Sequence, residues 1–312
     1  MRQLIQYIVD YQRKYFDFKL YVSLALFLSG SILINYIFDF EDQFIDPIPN
    51  LWVKSIAFAF FQAIPFLVTG FLLAAFDKKR AWLTESTFWI IFILGFLIIG
   101  SSRAIHWGVL LKPMMAPEDY LLLRSTFNWS LKLLMILLFF GGLYWIYDRP
   151  LRNFYGFTFH KFDLSPYLIL LGVAVLFILV GSFFADIQAY YPRYKPPYGL
   201  SFATHHELPN WVSLLIYESS YATSFIAVEF IFRGFLIYAF IKYFGEYAVL
   251  PMVATYCFLH FGKPATETIS SIFGGYILGI VALKNKNIWG GVIVHIGVAW
   301  SMELFGYLQA RF

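Results

Sequence analysis

The segment from Ala227 to Phe240 reads AVEFIFRGFLIYAF and places one carboxylate and one guanidinium in an otherwise apolar run. Glu229 and Arg233 are four residues apart, so they share one face of a helix and can form an ion pair. An ionisable residue at the centre of a membrane helix costs roughly 2.5–3.5 kcal/mol on insertion scales, and such residues usually face the protein interior and carry function. The run therefore predicts a membrane helix with a polar site.

The composition of the whole chain agrees with a membrane protein. Of the 312 residues, 60% are hydrophobic and 13% are charged, whereas a soluble domain carries about 25% charged residues. The lipid bilayer is therefore the expected surrounding. The net charge of +4 is modest, and because many basic residues cluster in short loops they indicate topology rather than nucleic-acid binding. The single cysteine, Cys257, excludes an intrachain disulfide and is interpreted as packing.

Nine apolar runs approach the length of about 20 residues that a membrane-spanning helix needs. The count falls to eight if a short run is re-entrant, and either number predicts an all-α, polytopic transmembrane bundle. The run at 211–243 is too long for a simple span, so we expect it to be tilted, protruding or broken. The nine runs are roughly 20–38, 54–76, 86–102, 130–147, 166–187, 211–243, 246–261, 268–283 and 288–306.

The ends of the chain and its loops predict how it is organised. Residues 1–19 have apolar side chains at helical spacing between polar ones, which is typical of an amphipathic interfacial helix. Basic residues precede the first span and acidic residues follow it, which predicts a cytoplasmic amino terminus in a bacterial-type plasma membrane. Polar residues enter the apolar runs after about residue 210. We therefore expect an N-terminal scaffold over 20–210 and a functional domain over 211–312.

Two further histidines, His260 and His295, lie in apolar runs of the functional domain. With Glu229 they make a plausible two-histidine, one-carboxylate set for zinc, which would activate a bound water. No H-E-x-x-H motif supports this, because Pro209 disrupts the segment that begins at His206. Metal binding is therefore left unassigned, with zinc as the candidate ion. His205, His206 and Glu207 are interpreted as solvated loop residues.

The order of these residues resembles a known family. Glu229 and Arg233 give E-x-x-x-R followed by glycine, Tyr256 precedes His260 by four residues, and His295 lies on the final apolar run. This series is similar to the E-E-x-x-x-R, F-x-x-x-H and H-x-x-x-N motifs of the CAAX prenyl protease and bacteriocin-processing (CPBP, or Abi) family of intramembrane proteases. The resemblance covers about residues 225–300.

The resemblance implies catalytic roles for Glu229, Arg233, His260 and His295. In the family a glutamate with the second-motif histidine activates water, the third-motif histidine steadies the oxyanion, and the arginine orients the carboxylate. Two positions depart from the pattern. Val228 replaces the first glutamate, and Ala299 replaces the asparagine that helps to stabilise the oxyanion. Neither side chain can act as a base or as a hydrogen-bond donor.

Three functions follow as hypotheses. The first is an intramembrane metalloendopeptidase-like hydrolase that cuts a hydrophobic or prenylated peptide or membrane protein. The second is a catalytically silent relative that binds such peptides or membrane partners, which Val228 and Ala299 favour. The third is a transporter that uses the buried charges, although the chain has no inverted repeat. Either Glu218 or Glu303 could approach the site and replace a lost group.

Overall fold

The structure is a computed structural model that describes residues 2–76 and 78–310. Over these residues the chain forms eleven α-helices of ten residues or more and no β-strand, which confirms the all-α prediction. The helices are α1 (Arg2–Tyr15), α2 (Phe18–Phe38), α3 (Leu51–Ala75), α4 (Ser86–Ala104), α5 (Tyr120–Leu143), α6 (Ser165–Gly181), α7 (Pro196–His205), α8 (Asn210–Glu229), α9 (Val249–Leu259), α10 (Ala265–Asn285) and α11 (Trp289–Gln309).

Seven helices in the described part of the chain are long and apolar enough to cross a membrane. They are α2, α3, α4, α10, α11, α5 with the turns that extend it to Leu151, and α8 with the turns that extend it to Tyr238. The shorter apolar helices α6 and α9 account for the other two predicted runs. The protein is therefore a polytopic, multi-pass integral membrane protein built from helices.

Two helices differ in length from the predicted spans. Helix α5 begins at Tyr120, ten residues before the predicted start, because Arg124 and Asn128 interrupt the apolar run without interrupting the helix. Helix α9 has only 11 residues, about 16 Å at 1.5 Å per residue, against a hydrocarbon core of about 30 Å. It is apolar all round because protein covers it on every side.

The long run at 211–243 is broken. Helix α8 passes directly into a π-helical turn, Phe230–Phe235, in which the N–H of Leu236 bonds to the carbonyl of Ile231. The helix then ends at Tyr238, and Ile241–Phe244 forms a separate short turn. Such π-turns often occur at functional sites. This turn contains Arg233 and begins directly after Glu229.

The amino-terminal helix α1 is docked on protein. Tyr11 is fully buried and donates a hydrogen bond to the carbonyl of Glu246 at 3.0 Å. The side-chain amide of Gln12 donates to the hydroxyl of Tyr276 at 2.7 Å. The apolar face of α1 is therefore at least partly covered by helix α10, and the interfacial position of its other face stays a prediction.

The chain divides into two compact units. Unit 1 contains the described residues of Met1–Ile105, Leu138–Pro166 and Glu229–Ile288. Unit 2 contains those of His106–Leu137, Tyr167–Val228 and Trp289–Phe312. The three predicted domains, 1–19, 20–210 and 211–312, are a functional division that stays a prediction.

Close helix packing holds unit 1 together. Helix α3 packs against α4 and α9, and α9 packs against α10. A Cβ atom added at Gly100 would lie 2.3 Å from the carbonyl oxygen of Ser55, so the backbones of α3 and α4 almost touch. Phe66 is fully buried, with its ring centre 4.7 Å from that of Phe240. Such contacts matter because lipid offers helices no hydrophobic driving force to associate, so van der Waals packing must do so.

Unit 2 is held by small residues and aromatic rings. A Cβ atom at Gly290 would lie 2.2 Å from the ring of the fully buried Tyr167, so the first turn of α11 packs directly on α6. The rings of Trp129 on α5 and Tyr217 on α8 meet edge to face at 5.1 Å. These contacts fix α8, which carries Glu218, and α11, which carries His295 and Glu303.

Candidate active site

The Glu229–Arg233 ion pair forms as the spacing predicts. The Arg233 Nη1 atom lies 3.0 Å from Glu229 Oε1, and both side chains are fully buried. The guanidinium carbon lies 4.1 Å from the centre of the Tyr256 ring on helix α9. A cation over an aromatic face gains about 2 kcal/mol or more when it is desolvated. Arg233 is thus held by a carboxylate on its own helix and by a ring on another.

The aromatic residue before the second-motif histidine links that histidine to the ion pair. Tyr256 and His260 are one helical turn apart, and their ring centres lie 4.5 Å apart, edge to face. Phe232 packs on Tyr256 at 5.0 Å. Unit 1 therefore brings three of the four predicted site residues into one row of contacts, in which Glu229 touches Arg233, Arg233 touches Tyr256, and Tyr256 touches His260.

The hydrogen bond of His260 fixes its tautomer. Its Nδ1 atom lies 2.9 Å from the carbonyl oxygen of Tyr256. A carbonyl can only accept, so Nδ1 carries the proton, and in the neutral ring Nε2 keeps a lone pair. The imidazole is thereby prepared to accept a proton at Nε2 or to bind a cation there.

Two hydroxyls on other helices hold the backbone that carries His260. Thr268 on α10 is fully buried and donates to the carbonyl of His260 at 2.7 Å. Tyr36 on α2 donates to the carbonyl of Lys263 at 2.7 Å and lies 2.8 Å from the Thr268 hydroxyl. Sequence reasoning missed both residues, because only the packing of α2 and α10 around the end of α9 shows their role.

Two glycines bring α10 against the helix of His260. A Cβ atom at Gly275 would lie 2.9 Å from Cδ1 of Tyr256, and one at Gly279 would lie 2.5 Å from Cε of Met252. The G-x-x-x-G spacing thus forms a close packing face. Gly275 sets the position of the Tyr256 ring.

The remaining predicted site residue, His295, lies on α11 in unit 2. Its ring stacks on that of Phe225 from α8, with centres 4.9 Å apart and planes inclined by 27°. Ala299, one turn further along α11, is buried. The histidine is thus oriented by an aromatic neighbour, and the position that holds asparagine in the family carries only a methyl group.

Glu303 has a structural partner in unit 2. Its carboxylate accepts hydrogen bonds from the backbone N–H groups of Arg193, at 2.7 and 2.9 Å, and Tyr194, at 3.1 Å. It therefore fixes the segment that follows Pro192. Glu218 differs, because its Oε2 atom is buried and has no hydrogen-bond partner among the described residues.

Both carboxylates line a large apolar cavity of unit 2. The cavity has a volume of about 1230 Å³, and Trp211, Leu214, Trp300 and Leu304 contribute to its wall. Ligand pockets are usually about 300–1,000 Å³ and mostly apolar with a few polar groups. The cavity is therefore large enough for a long apolar chain, with a carboxylate beside it.

The zinc set suggested by the sequence is only partly supplied by unit 1. A catalytic zinc takes three protein ligands. Unit 1 contributes one imidazole nitrogen, Nε2 of His260, and a carboxylate that Arg233 already holds at 3.0 Å. These donors fall short of a complete zinc site.

Comparison with known proteins supports the resemblance over part of the chain. Residues 209–301, less than a third of the chain, match the model of a family described as type II CAAX prenyl endopeptidase, Rce1-like. Comparisons with curated proteins and with solved structures found no match. The matched region contains Glu229, Arg233, His260 and His295. Residues 209–301 of this multi-pass membrane protein are therefore similar to type II CAAX prenyl endopeptidases of the Rce1-like family, which agrees with the motifs.

Proposed function

We propose that the protein is an intramembrane endopeptidase of CAAX prenyl protease type, which hydrolyses a peptide bond of a hydrophobic or prenylated peptide or membrane protein. The observation that carries the proposal is the row of buried contacts from Glu229 through Arg233 and Tyr256 to His260. This row lies in the region that matches the prenyl endopeptidase family. A buried ion pair has a large desolvation cost, and ionisable residues inside a membrane are usually functional. The pair beside an oriented imidazole therefore favours a catalytic role.

His260 is the group best prepared to activate water. Its Nε2 lone pair takes a proton from water as the water oxygen attacks the carbonyl carbon, and the C–N bond then breaks. The same proton passes to the leaving amine. Arg233 holds the Glu229 carboxylate in one orientation, which is the role that the resemblance implies for it. The family resemblance gives His295, on unit 2, the separate role of an oxyanion donor, and the methyl side chain of Ala299 cannot supply such a donor.

The apolar cavity of unit 2 supports a hydrophobic substrate. Its wall is built from tryptophan and leucine side chains, and Glu218 and Glu303 are its acidic members. A prenyl chain or an apolar peptide segment that entered from the membrane would be held there by van der Waals packing. Substrate binding in unit 2 and proton transfer at His260 are separate parts of the proposal.

The second candidate is a relative that binds hydrophobic peptides without cutting them. Val228 and Ala299 favour it, because the position of the usual base and that of one oxyanion donor carry apolar side chains. Loss of a single oxyanion donor typically lowers the rate by about 10²–10³. The two candidates differ in turnover but share the apolar binding surface.

A cleavage assay in liposomes tests the proposal. The purified protein is incubated with a farnesylated peptide and with the same peptide lacking the prenyl group, and products are identified by mass spectrometry. We expect cleavage that favours the prenylated peptide and that falls at least about 10²-fold in His260→Ala and in His295→Ala. The matched control is His160→Ala, because His160 is an exposed histidine of unit 1 and its loss should leave the rate unchanged.

The outcomes separate the two candidates. Cleavage that survives both His260→Ala and His295→Ala would contradict the proposed mechanism. Saturable binding of the prenylated peptide with no product at long incubation would establish the silent relative instead. A rate that falls equally in His160→Ala would show that the effect is general damage rather than loss of a catalytic group.

A further inference from the structure

A cluster of two histidines and one aspartate lies in unit 2, and none of the three residues takes part in the proposed peptidase chemistry. Asp119 Oδ1 lies 3.0 Å from Nδ1 of His205 and 3.0 Å from Nε2 of His206. The three atoms all lie within 4.8 Å of one another. No other group of three or more metal-ligating side chains this close together occurs among the described residues.

Backbone hydrogen bonds and a ring contact hold the residues of the cluster. Asp119 directly precedes α5, and its carbonyl accepts the N–H of Leu123 at 2.9 Å in the first turn of that helix. His205 ends α7, and the N–H of His206 bonds to the carbonyl of Phe202 at 3.1 Å. The ring of His206 packs on that of Phe202, with centres 4.5 Å apart. Residues at the ends of two helices therefore present the three donors to one point.

We propose that Asp119, His205 and His206 bind a divalent transition-metal ion, with zinc as the representative ion. Imidazole nitrogen with one carboxylate oxygen suits zinc and its neighbours, whereas calcium and magnesium prefer oxygen alone. Zinc bonds to these atoms are about 2.0–2.2 Å, so the donors of a tetrahedral site lie about 3.3 Å apart. Two of the three separations here are 3.0 Å, so the side chains must move only by tenths of an ångström at those contacts.

Exposure allows that movement and lets an ion enter. The His205 and His206 side chains are each 41% exposed, while that of Asp119 is 11% exposed. The carboxylate is thus fixed, and the two imidazoles can rotate to turn their lone pairs towards the ion. Water or an anion would complete the coordination. All three residues lie between the membrane-spanning helices of the chain, in loops and at helix ends.

The ion would join the start of α5 to the end of α7. These points are 86 residues apart in sequence, and a cross-link across a long loop removes more chain entropy than one across a short loop. The ion would therefore stabilise unit 2 by cross-linking these two points. The site is independent of the proposed peptidase chemistry and would exist equally in a silent relative.

Zinc binding to the full-length protein in detergent tests this directly. The protein is purified without a polyhistidine tag, stripped with a chelator, and titrated with zinc, with the bound metal measured by elemental analysis. We expect one zinc per chain and a melting temperature that rises with zinc and falls again with chelator. Asp119→Asn, His205→Ala and His206→Ala should each lower the affinity by at least about 10–100-fold, the cost of losing even an outer-shell partner.

Three controls make the result specific. His106→Ala removes an exposed histidine of the same unit that is outside the cluster and should leave zinc binding unchanged. His260→Ala and His295→Ala should also leave it unchanged. Zinc that is lost in these variants but kept in the Asp119, His205 and His206 variants would overturn the proposal and place the ion in the membrane.

X-ray absorption of the zinc-loaded wild-type protein decides the matter if the cluster variants fail to fold. We expect a first shell of nitrogen and oxygen only, with outer scattering from two imidazole rings. A shell without imidazole scattering, or zinc binding too weak to survive dialysis, would overturn the proposal.

Discussion

The guanidinium of Arg233 lies 4.1 Å from the centre of the Tyr256 ring, and these two residues come from different helices of unit 1. The same guanidinium is paired with Glu229 at 3.0 Å. Because all three side chains are buried, each depends on the others for the compensation that water would supply elsewhere. The contributions of these three side chains to the stability of the protein are therefore strongly coupled.

Removing one partner of the ion pair should destabilise the protein more than removing both. Arg233→Met leaves the Glu229 carboxylate buried without its cation, at a cost of about 3–5 kcal/mol. Combining it with Glu229→Gln should recover most of that loss, because replacing a whole buried pair is often close to neutral. Thermal unfolding in detergent of the two single variants and the double variant measures the coupling. A double variant as unstable as the sum of the singles would exclude a coupled pair.

The ring of Tyr256 should matter more than its hydroxyl. Tyr256→Phe keeps the aromatic face over Arg233 and gives the residue that the family usually has, so we expect a loss of at most about 1 kcal/mol. Tyr256→Leu removes the face and should cost about 2 kcal/mol or more, part of it from the lost cation–π contact. Equal melting temperatures for the two variants would show that the ring face contributes nothing.

Gly275 should be intolerant of even one added methyl group, unlike its neighbour. In Gly275→Ala the new Cβ lies 2.9 Å from Tyr256 Cδ1, so the ring must move, and overpacking of this kind costs about 1–3 kcal/mol. Gly274→Ala is the matched control, because a Cβ at Gly274 meets nothing within 4 Å. Alanine there should be neutral or stabilising by up to about 1 kcal/mol, as in other helices. Melting temperatures of both variants test the contrast.

The sequence predicts the helices better than it predicts their contacts. Long apolar runs with basic and acidic flanks define spans such as α3 and α4 almost completely, because length and polarity are local properties. The exception is α9, whose apolar run indicates burial but cannot distinguish burial in protein from burial in lipid. Only the helices that pack around its 11 residues show that it is buried in protein.

The candidate site shows the same division. The spacing of Glu229 and Arg233 predicts their pairing, since both lie on one helix. By contrast, the contact of Arg233 with Tyr256 and the bond from Thr268 to the His260 carbonyl join separate helices, and no local pattern specifies them. Asp119 and His205 are a further example, because 86 residues separate two side chains that lie in contact.

A pH prediction follows from Asp17, which caps α2 outside the membrane. The ammonium group of Lys78, 2.8 Å from its carboxylate, and the backbone N–H of Leu20, at 3.1 Å, hold the pKa of Asp17 below its usual value. A lowered carboxyl pKa contributes stability that is present above the unfolded pKa of about 3.9 and lost as pH falls through the folded pKa.

Asp17→Asn should therefore lower the melting temperature at pH 6, and the difference from wild type should shrink as the pH is taken below about 4. Asp10→Asn is the control, because Asp10 is an exposed residue on α1 and its replacement should have little effect at either pH. A difference between wild type and Asp17→Asn that grows on acidification would contradict the sign of the pKa shift.

Thr268 should act on turnover by positioning His260, provided that the protein is the peptidase proposed above. Thr268→Val keeps the shape of the side chain and removes its hydrogen bond to the His260 carbonyl. That carbonyl also accepts the N–H of Lys263 at 3.2 Å, so the stability cost should be only about 1 kcal/mol. The imidazole would nevertheless lose part of the support that fixes its backbone, and small displacements of a catalytic group are costly in rate. We therefore expect kcat to fall severalfold with little change in KM.

Ser270→Ala, which removes an exposed hydroxyl two residues further along α10, should leave both constants unchanged. Equal kinetics for Thr268→Val and wild type would mean that the turn carrying His260 is held firmly enough by its own helix, and that Thr268 serves stability alone.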